Sequence, residues 1–239
     1  MSKIGIIQPH FFPWLGFYCL LKEVDILVWL DDVQINQRSF HNRVQVNTPH
    51  GLNWINVLYN KNLPREKRIF RDLETSKKDN WKEKNLNLLK EGYSVTKNFE
   101  LIKKIYEETV NEKSFLNILI KSCLLPAKLL NAYPKKIFFS SSLNFKSSSS
   151  NLILEIAKGF KAKEYITGHG SFNYLKHNDF EAEGIRVSYL DYNINPWSQP
   201  LNYINPYVSV LDFLSCTSDI KDYQLNYKTI YWKEFTKKC

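Results

Sequence analysis

The chain has 239 residues, of which 44% are hydrophobic, so it is long enough to bury one substantial core. Its formal net charge of +9 is compatible with an anionic partner such as a nucleotide, a phosphorylated sugar, RNA or a membrane surface, but lysine-rich runs usually only solvate a surface. No apolar run is long enough for a signal-peptide core or a membrane span, and the four cysteines are too widely spaced for a zinc knuckle or a disulfide framework. These features predict a cytoplasmic protein with reduced thiols and no bound metal.

The first thirty residues predict a strand, a loop, a helix and a second strand. Residues 3–8 form an apolar run that must stop at Pro9, because proline lacks a backbone donor and fixes φ. Residues 14–24 carry apolar side chains at helical spacing, and residues 25–30 are a second apolar run. Such a unit implies a parallel strand pair, and open α/β sheets bind ligands at the carboxyl ends of their strands.

The middle of the chain changes character twice. Residues 43–46 and 54–58 flank a turn-rich break and predict an antiparallel hairpin, with His50 in the turn. Residues 74–136 then mix charged residues with apolar ones at helical spacing, which indicates a helical cap or insertion. We interpret residues 1–239 as one α/β domain that contains this insertion.

The last hundred residues repeat the strand-and-helix pattern. Strands are predicted at 137–139, 165–167 and 186–190, and helices over 152–160 and near 209–214. Together with the first unit, this order predicts an α/β fold: a mainly parallel sheet with flanking helices and a helical middle section.

Two loops in this half have more specific predictions. The serines at 147–150 are expected to cap the helix that follows them by accepting hydrogen bonds from its first amides. Gly168-His169-Gly170-Ser171 ends a strand, and glycine there would let backbone amides approach a ligand closely. A helix is expected to begin within residues 172–176.

The segment Gln8-Pro9-His10-Phe11-Phe12-Pro13-Trp14-Leu15-Gly16-Phe17 resembles the opening signature of the WbqC-like proteins. Further matches follow in the family's order and cover nearly the whole chain: Asp31 to Gln34, Asn42-Arg43, Ser140-Ser141, Tyr165, Gly168, Gly170, Tyr174-Leu175, Phe180, Gln199, Ser209 and Asp212. The resemblance implies a role in making bacterial surface polysaccharide such as O-antigen, in the setting of nucleotide-linked amino sugars.

A second resemblance is to the nucleotidyltransferase-like, Rossmann-like folds. In those folds a strand leads into a loop and a helix that opens with His-x-Gly-His, whereas Trp14-Leu15-Gly16-Phe17 stands here. The topology implied is shared, but the two histidines that would meet a triphosphate are absent. His10 and His169 could replace them if the fold brings the two together.

Three residues are candidate catalytic groups: His169, His10 and Asp32. An imidazole in a strand-end loop can act as a general base, and the two glycines beside His169 would leave it exposed to a ligand. Asp31 and Asp32 end a strand at the predicted cleft, and only one of them should face it, since adjacent strand residues point to opposite sides. His41 and His177 are expected to be surface residues.

Ten residues are candidate substrate contacts. Arg43 could hold a phosphate or carboxylate through its planar guanidinium, and Ser141 could bind a phosphate through its hydroxyl. Trp14 and Tyr174 could stack on a base or a sugar ring. The full set is Gln8, Trp14, Asp31, Gln34, Arg43, Ser141, Gly168, Gly170, Tyr174 and Gln199.

Three functions are consistent with these patterns. The first is an acyl- or aminoacyltransferase that modifies the amino group of a nucleotide-linked amino sugar, with an activated donor that a carrier or an RNA could supply. The second is an ATP-dependent ligase or adenylyltransferase of the nucleotidyltransferase-like fold. The third is a non-enzymatic module that binds RNA or a protein partner through its basic charge and aromatic rings.

Overall fold

The computed structural model describes residues 2–36, 39–77, 79–200 and 205–237. The strands are β1 (Lys3–Ile7), β2 (Ile26–Trp29), β3 (Arg43–Thr48), β4 (Gly51–Asn56), β5 (Lys136–Phe139), β6 (Glu164–Thr167), β7 (Arg186–Tyr192) and β8 (Tyr227–Tyr231). The α-helices are α1 (Leu15–Glu23), α2 (Trp81–Tyr93), α3 (Phe99–Val110), α4 (Phe115–Leu129), α5 (Ser149–Gly159), α6 (His177–Ala182), α7 (Val210–Cys216) and α8 (Trp232–Phe235).

The main sheet has six strands in the order β5-β2-β1-β6-β7-β8. The first five of these run parallel to one another, and β8 pairs antiparallel with β7. The α/β fold with a mainly parallel, helix-flanked sheet is therefore confirmed. Strands β3 and β4 form the separate antiparallel hairpin that the sequence predicts.

Helices cover both faces of the sheet, and the central strands β1 and β2 are accordingly nearly continuous apolar runs. One face contributes side chains such as Leu27, Trp29 and Ile166 to a core shared with α1 and the middle helices. The other face contributes Ile4 and Val28, among others, to a core with α5, α6 and α8. This burial leaves only the edges of the sheet available for ligands.

Helices α2, α3 and α4 form the helical middle section. They share one buried cluster with α1, the hairpin and α7. Gly92 lets α2 lie directly on the hairpin, because a Cβ there would be 2.1 Å from the carbonyl oxygen of Asn47. The shared core supports our interpretation of residues 74–136 as an insertion within one domain, which stays a prediction.

Local predictions in the second half need three corrections. The serines at 147–150 do not cap α5: the helix has no side-chain cap, and Ser150 Oγ, in its first turn, accepts from the Lys176 amide at 2.9 Å. Residues 172–176 form a turn, and the helix begins only at His177. Strand β8 was not predicted, because its half-buried, mixed-polarity sequence is typical of an edge and carries no apolar run.

Within the described residues, no helix is both long and apolar enough to cross a lipid bilayer.

Candidate functional site

A cavity of about 880 Å³ opens at the carboxyl edge of the sheet, where the segments that follow β1 and β6 meet. The strand order reverses there: from β1 the chain continues to β2 and β5 on one side, then to β6 and β7 on the other. Open α/β sheets bind ligands at such a reversal point, because the loops after the two central strands diverge and leave a crevice. The cavity is therefore the candidate site.

The loop after β1 is fixed in place by α4. Phe12 has a positive φ of 40°, an uncommon conformation for a residue with a side chain, so the surroundings must stabilise it. The Ser122 hydroxyl accepts from the Phe12 amide at 3.1 Å and lies 3.0 Å from the His10 carbonyl oxygen. The fully buried rings of Phe11 and Phe12 anchor the same turn in the core.

Helix α7 fixes the loop from a second direction. The buried Ser209 hydroxyl donates to the Phe12 carbonyl at 3.0 Å, and the Val210 amide donates to the Pro13 carbonyl at 3.0 Å. The loop is thus held by two elements that lie about one hundred and two hundred residues away in sequence. This rigid support gives His10 and Trp14 defined positions at the cavity wall.

His10 and His41 form a pair of imidazoles in the cavity wall, with ring centroids 4.6 Å apart. Nδ1 of His10 lies 2.9 Å from the Gln8 carbonyl, and Nδ1 of His41 lies 3.1 Å from the Pro9 carbonyl. A carbonyl oxygen can only accept, so each Nδ1 carries the proton and each Nε2 is an acceptor. Neither Nε2 has a hydrogen-bond partner among the described residues.

Both imidazoles are neutral at physiological pH. Burial lowers the pKa of His10 to about 3, and the nearby His41 adds to this by repelling its positive charge. Burial likewise lowers the pKa of His41 to about 4. The prediction that His41 is a surface residue is wrong, because its side chain packs against Phe70 and is 8% exposed.

The pair predicts acid sensitivity. In the unfolded chain these histidines take up protons near pH 6.5, whereas in the folded protein His41 does so near pH 4 and His10 near pH 3. The unfolded state therefore binds more protons below pH 6.5, and the free energy of unfolding falls as the pH is lowered from 6.5 toward 3. We expect His41→Gln to make the loss between pH 6 and 4.5 shallower by about 1 kcal/mol per pH unit. Denaturant unfolding at a series of pH values measures this, with the exposed His50→Gln as the control. A wild-type slope in His41→Gln would contradict the neutral pair.

His169 reaches the cavity from the loop after β6. Its Nε2 lies 2.7 Å from the Leu190 carbonyl, which places the proton on Nε2 and leaves Nδ1 as the acceptor. The ring packs between Tyr192 and Phe235, with centroid distances of 5.6 and 4.8 Å. His10, His41 and His169 therefore line one cavity.

Trp14 lies across the start of α1. A Cβ on Gly16 would be 2.2 Å from the indole, so only glycine allows the ring to fold back over the helix. The ring meets Tyr192 on one side and Tyr207 on another, with centroid distances of 4.8 and 5.3 Å. The glycine of the opening signature therefore sets the position of an aromatic wall.

The structure brings about half of the predicted site residues to the cavity. Those that line it are Gln8, His10, Trp14, Gly168, His169, Gly170 and Tyr174. Residues in the lining that the sequence did not single out as ligand contacts include Asn36, His41, Thr167, Ser171, Tyr192 and Tyr207. The predicted residues that do not line it are Asp31, Asp32, Gln34, Arg43, Ser141 and Gln199.

Asp31 and Asp32 bind serines at the end of the adjacent strand instead. Asp31 accepts from the Ser141 amide at 3.0 Å and from the Ser141 hydroxyl at 2.7 Å. Asp32 accepts from the Ser140 hydroxyl. Their carboxylates thus connect the end of β2 to the end of β5. Neither residue lines the cavity, so direct contact of either with a substrate stays a prediction.

Arg43 and Gln34 lie in other contacts. The Arg43 guanidinium stacks 4.2 Å above the Trp54 ring, and Gln34 donates to the Arg65 carbonyl at 3.0 Å.

His177, which was also predicted to lie on the surface, is buried, with Nε2 2.7 Å from the Tyr189 hydroxyl. That prediction is wrong because the chain around His177 packs onto Trp232 of α8.

Gln199 belongs to a buried network around Asp212. The carboxylate is fully buried and accepts from Asn47 at 2.7 Å, from Tyr93 at 2.9 Å, and from Trp197 and Gln199 at 2.7 and 2.8 Å. The four donors come from the hairpin, from α2 and from the segment before α7. This network ties the helical section to the part of the chain that supports the loop after β1.

The described part of the cavity lining contains no cysteine. Within the described residues, no three His, Cys, Asp or Glu side chains cluster so as to hold a metal ion. Burial raises the pKa of Cys19 and of Cys123 to about 12, so both are unreactive thiols, and neither lines the cavity. Cys239 lies outside the described residues.

A mainly parallel, helix-flanked sheet whose strand order reverses at a crevice defines an α/β protein of Rossmann-like architecture. The chain belongs to the WbqC-like protein family, whose model matches residues 8–222. It is also similar to the uncharacterized protein Rv1507c of Mycobacterium tuberculosis, with 26% identity over 221 residues that cover 90% of this chain and 93% of that protein. No solved structure matches the chain. The family match confirms the resemblance seen in the opening segment and includes both loops of the cavity.

Proposed function

We propose that the protein is an enzyme of bacterial surface-polysaccharide synthesis that transfers an acyl or aminoacyl group to the amino group of a nucleotide-linked amino sugar. The observation that carries this proposal is the convergence of His10, His41 and His169 on one cavity. Each has one ring nitrogen held by a backbone carbonyl and the other available as an acceptor. Membership of the WbqC-like family supports the biological setting.

The nucleotide-linked sugar fits the crevice between β1 and β6. The N-terminus of α5 reaches the lining at Ser149, and its first amides have no side-chain cap, so they and the helix dipole favour an anion such as a diphosphate. Trp14, Tyr174 and Tyr192 offer ring faces to a base or a sugar. The net charge of +9 favours the approach of such an anionic substrate.

The transfer step needs a base that accepts the amine proton and a hydrogen-bond donor that stabilises the developing oxyanion. The amine nitrogen attacks the acyl carbonyl carbon, a C–N bond forms, and the bond from that carbon to the leaving group breaks. Burial makes His10 a weak base, so its neutral Nε2 takes the proton after the attack has made the amine nitrogen positively charged and acidic, and then passes it to the leaving group. The Gln8 side-chain amide has no hydrogen-bond partner among the described residues, so its N–H can stabilise the oxyanion.

Amide formation tests the proposal directly. Purified protein is incubated with nucleotide-linked amino sugars and with thioester, carrier-linked and aminoacyl-RNA donors, and the products are read by mass spectrometry. We expect an N-acylated or N-aminoacylated sugar nucleotide with at least one donor. The absence of any amide across the donor set would overturn the reaction that we propose.

Gly170 provides a separate test of where the nucleotide binds. A Cβ on Gly170 would meet no protein atom within 4 Å, because the space beside it is the cavity. We expect Gly170→Ala to leave the free energy of unfolding within about 0.5 kcal/mol of wild type, since surface changes of this kind are nearly neutral. The same change should weaken the binding of a uridine diphosphate-linked amino sugar about tenfold in calorimetric titration. Unchanged binding would place the nucleotide away from this loop.

A second candidate is an ATP-dependent ligase or adenylyltransferase. Two observations favour it: the strand-loop-helix-strand opening, and the presence of His10 and His169 in the lining of one cavity. Two histidines that replace the pair of the nucleotidyltransferase-like folds would have to lie in one cavity. Pyrophosphate release on addition of ATP and small carboxylic acids would support it. Amide formation without ATP would support direct acyl transfer and exclude the ATP-dependent reaction.

A further inference from the structure

A second, smaller pocket opens beside the cavity. This side pocket has a volume of about 340 Å³ and is lined by His10, Pro13, Trp14, Phe17, Phe40, Val44 and Tyr207. Four of these residues, His10, Trp14, Phe17 and Tyr207, also line the cavity. The two spaces are therefore neighbours that share one wall.

The two spaces differ in chemistry. The cavity offers several polar side chains, among them Gln8, Asn36 and Thr167. The side pocket is lined by rings, a proline and a valine, and its polar side-chain groups are the imidazole of His10, the indole N–H of Trp14 and the hydroxyl of Tyr207. A nucleobase placed there would leave most of its polar edge without partners, which is unfavourable. An apolar chain has no polar atoms of its own to leave without partners.

Trp14 is part of the wall that the two spaces share. Its indole contacts Tyr192, which lines the cavity alone, and also Tyr207, which lines both. Gly16 keeps the indole folded over α1 and so keeps this wall in place. His10 and Tyr207 are the titratable residues that line both spaces, and of these two His10 carries the basic ring nitrogen.

We infer that the side pocket binds the apolar acyl chain of the donor, so that donor and acceptor lie on opposite sides of Trp14 and meet at His10. This inference rests on the proposed transferase function, and it adds that the donor carries a short aliphatic acyl group. An acyl chain in the side pocket would bring its carbonyl end to His10, while the sugar amine approaches the same ring from the cavity. This arrangement explains why His10, the proposed base, lines both the cavity and the side pocket.

Simple alkanoates test the chain specificity without any turnover. Acetate, butanoate, hexanoate and octanoate are titrated against the whole protein, and their dissociation constants are measured by ligand-observed NMR. We expect binding to tighten about fourfold for each methylene that enters the pocket, and then to stop improving when the pocket is full. Equal binding of acetate and hexanoate would overturn the inference.

Phe40→Ala locates the effect. Phe40 lines the side pocket and is 55% exposed, so its removal should leave the fold intact and weaken hexanoate binding about fivefold. The matched control is Tyr133→Ala, which removes a ring that is 45% exposed and outside both linings, and it should bind hexanoate as wild type does. Equal effects of the two changes, or a soaked crystal with hexanoate outside the side pocket, would overturn the inference. An absence of amide formation with this chain-length preference intact would instead overturn the proposed reaction alone.

Discussion

Replacing Asp212 with alanine should lower the free energy of unfolding by about 3–5 kcal/mol. The carboxylate is fully buried and accepts from four side chains, so its loss leaves four donors without partners in the core. The donors lie on separate segments, and their release loosens the contact between the hairpin, α2 and α7. Denaturant unfolding followed by circular dichroism measures the change.

Two further variants separate the network from a general effect of the substitution. Asp212→Asn keeps one acceptor oxygen but turns an NH₂ group toward donors, so it should be intermediate. Asp222→Ala removes an exposed carboxylate and should stay within about 0.5 kcal/mol of wild type. An Asp212→Ala protein as stable as Asp222→Ala would contradict the role that we assign to the network.

His10→Asn should reduce the rate of amide formation by about 10²-fold, the lower end of the usual contribution of a positioned general base, because burial makes this imidazole a weak base. Asparagine can still donate to the Gln8 carbonyl in place of Nδ1, but it has no atom at the position of Nε2. The fold is therefore kept and the acceptor nitrogen is lost. Turnover under saturating sugar nucleotide and donor measures the effect.

His169→Gln is the matched comparison for His10→Asn. Glutamine can keep the hydrogen bond to the Leu190 carbonyl while it removes the acceptor Nδ1. We expect a loss of about tenfold or less, because His169 borders the cavity alone and His10 borders both spaces. The opposite ranking of the two variants would transfer the role of base to His169.

Much of the sheet could be predicted because its signals are local. Pro9 ends β1, and the glycines after Thr167 end β6, so both strand ends and the loops beyond them follow from residues a few positions apart. The parallel order follows from helices placed between strands. Strand β8 escaped prediction because an edge strand needs only one apolar side and is recognised by its pairing with β7.

The sequence predicts where the candidate site lies in the fold better than it predicts which residues line it. Gln8, His10 and His169 were found because they stand at strand ends, where the fold must leave a crevice. Asp31 and Arg43 also stand at strand ends, but their partners, Ser141 and Trp54, decide where the side chains go. Such partners lie in distant or separate elements and have no local signal.

His41 shows the same limit from the other direction. Its neighbours in sequence are polar and suggest a surface position, yet its imidazole bonds to the Pro9 carbonyl and contacts His10. The burial that makes both rings neutral comes from packing between segments that the sequence does not place together. A histidine pair of this kind is recognised only in the folded protein.

The most direct test is a crystal structure of the protein with a uridine diphosphate-linked amino sugar. We predict that the nucleotide occupies the cavity between β1 and β6, with its diphosphate near the first turn of α5 and the Gly168–Gly170 loop. The sugar amine should lie within about 3.2 Å of Nε2 of His10, the reach of a general base. A sugar nucleotide bound outside this cavity, or bound inside it with the amine distant from all three imidazoles, would contradict the proposed transfer site.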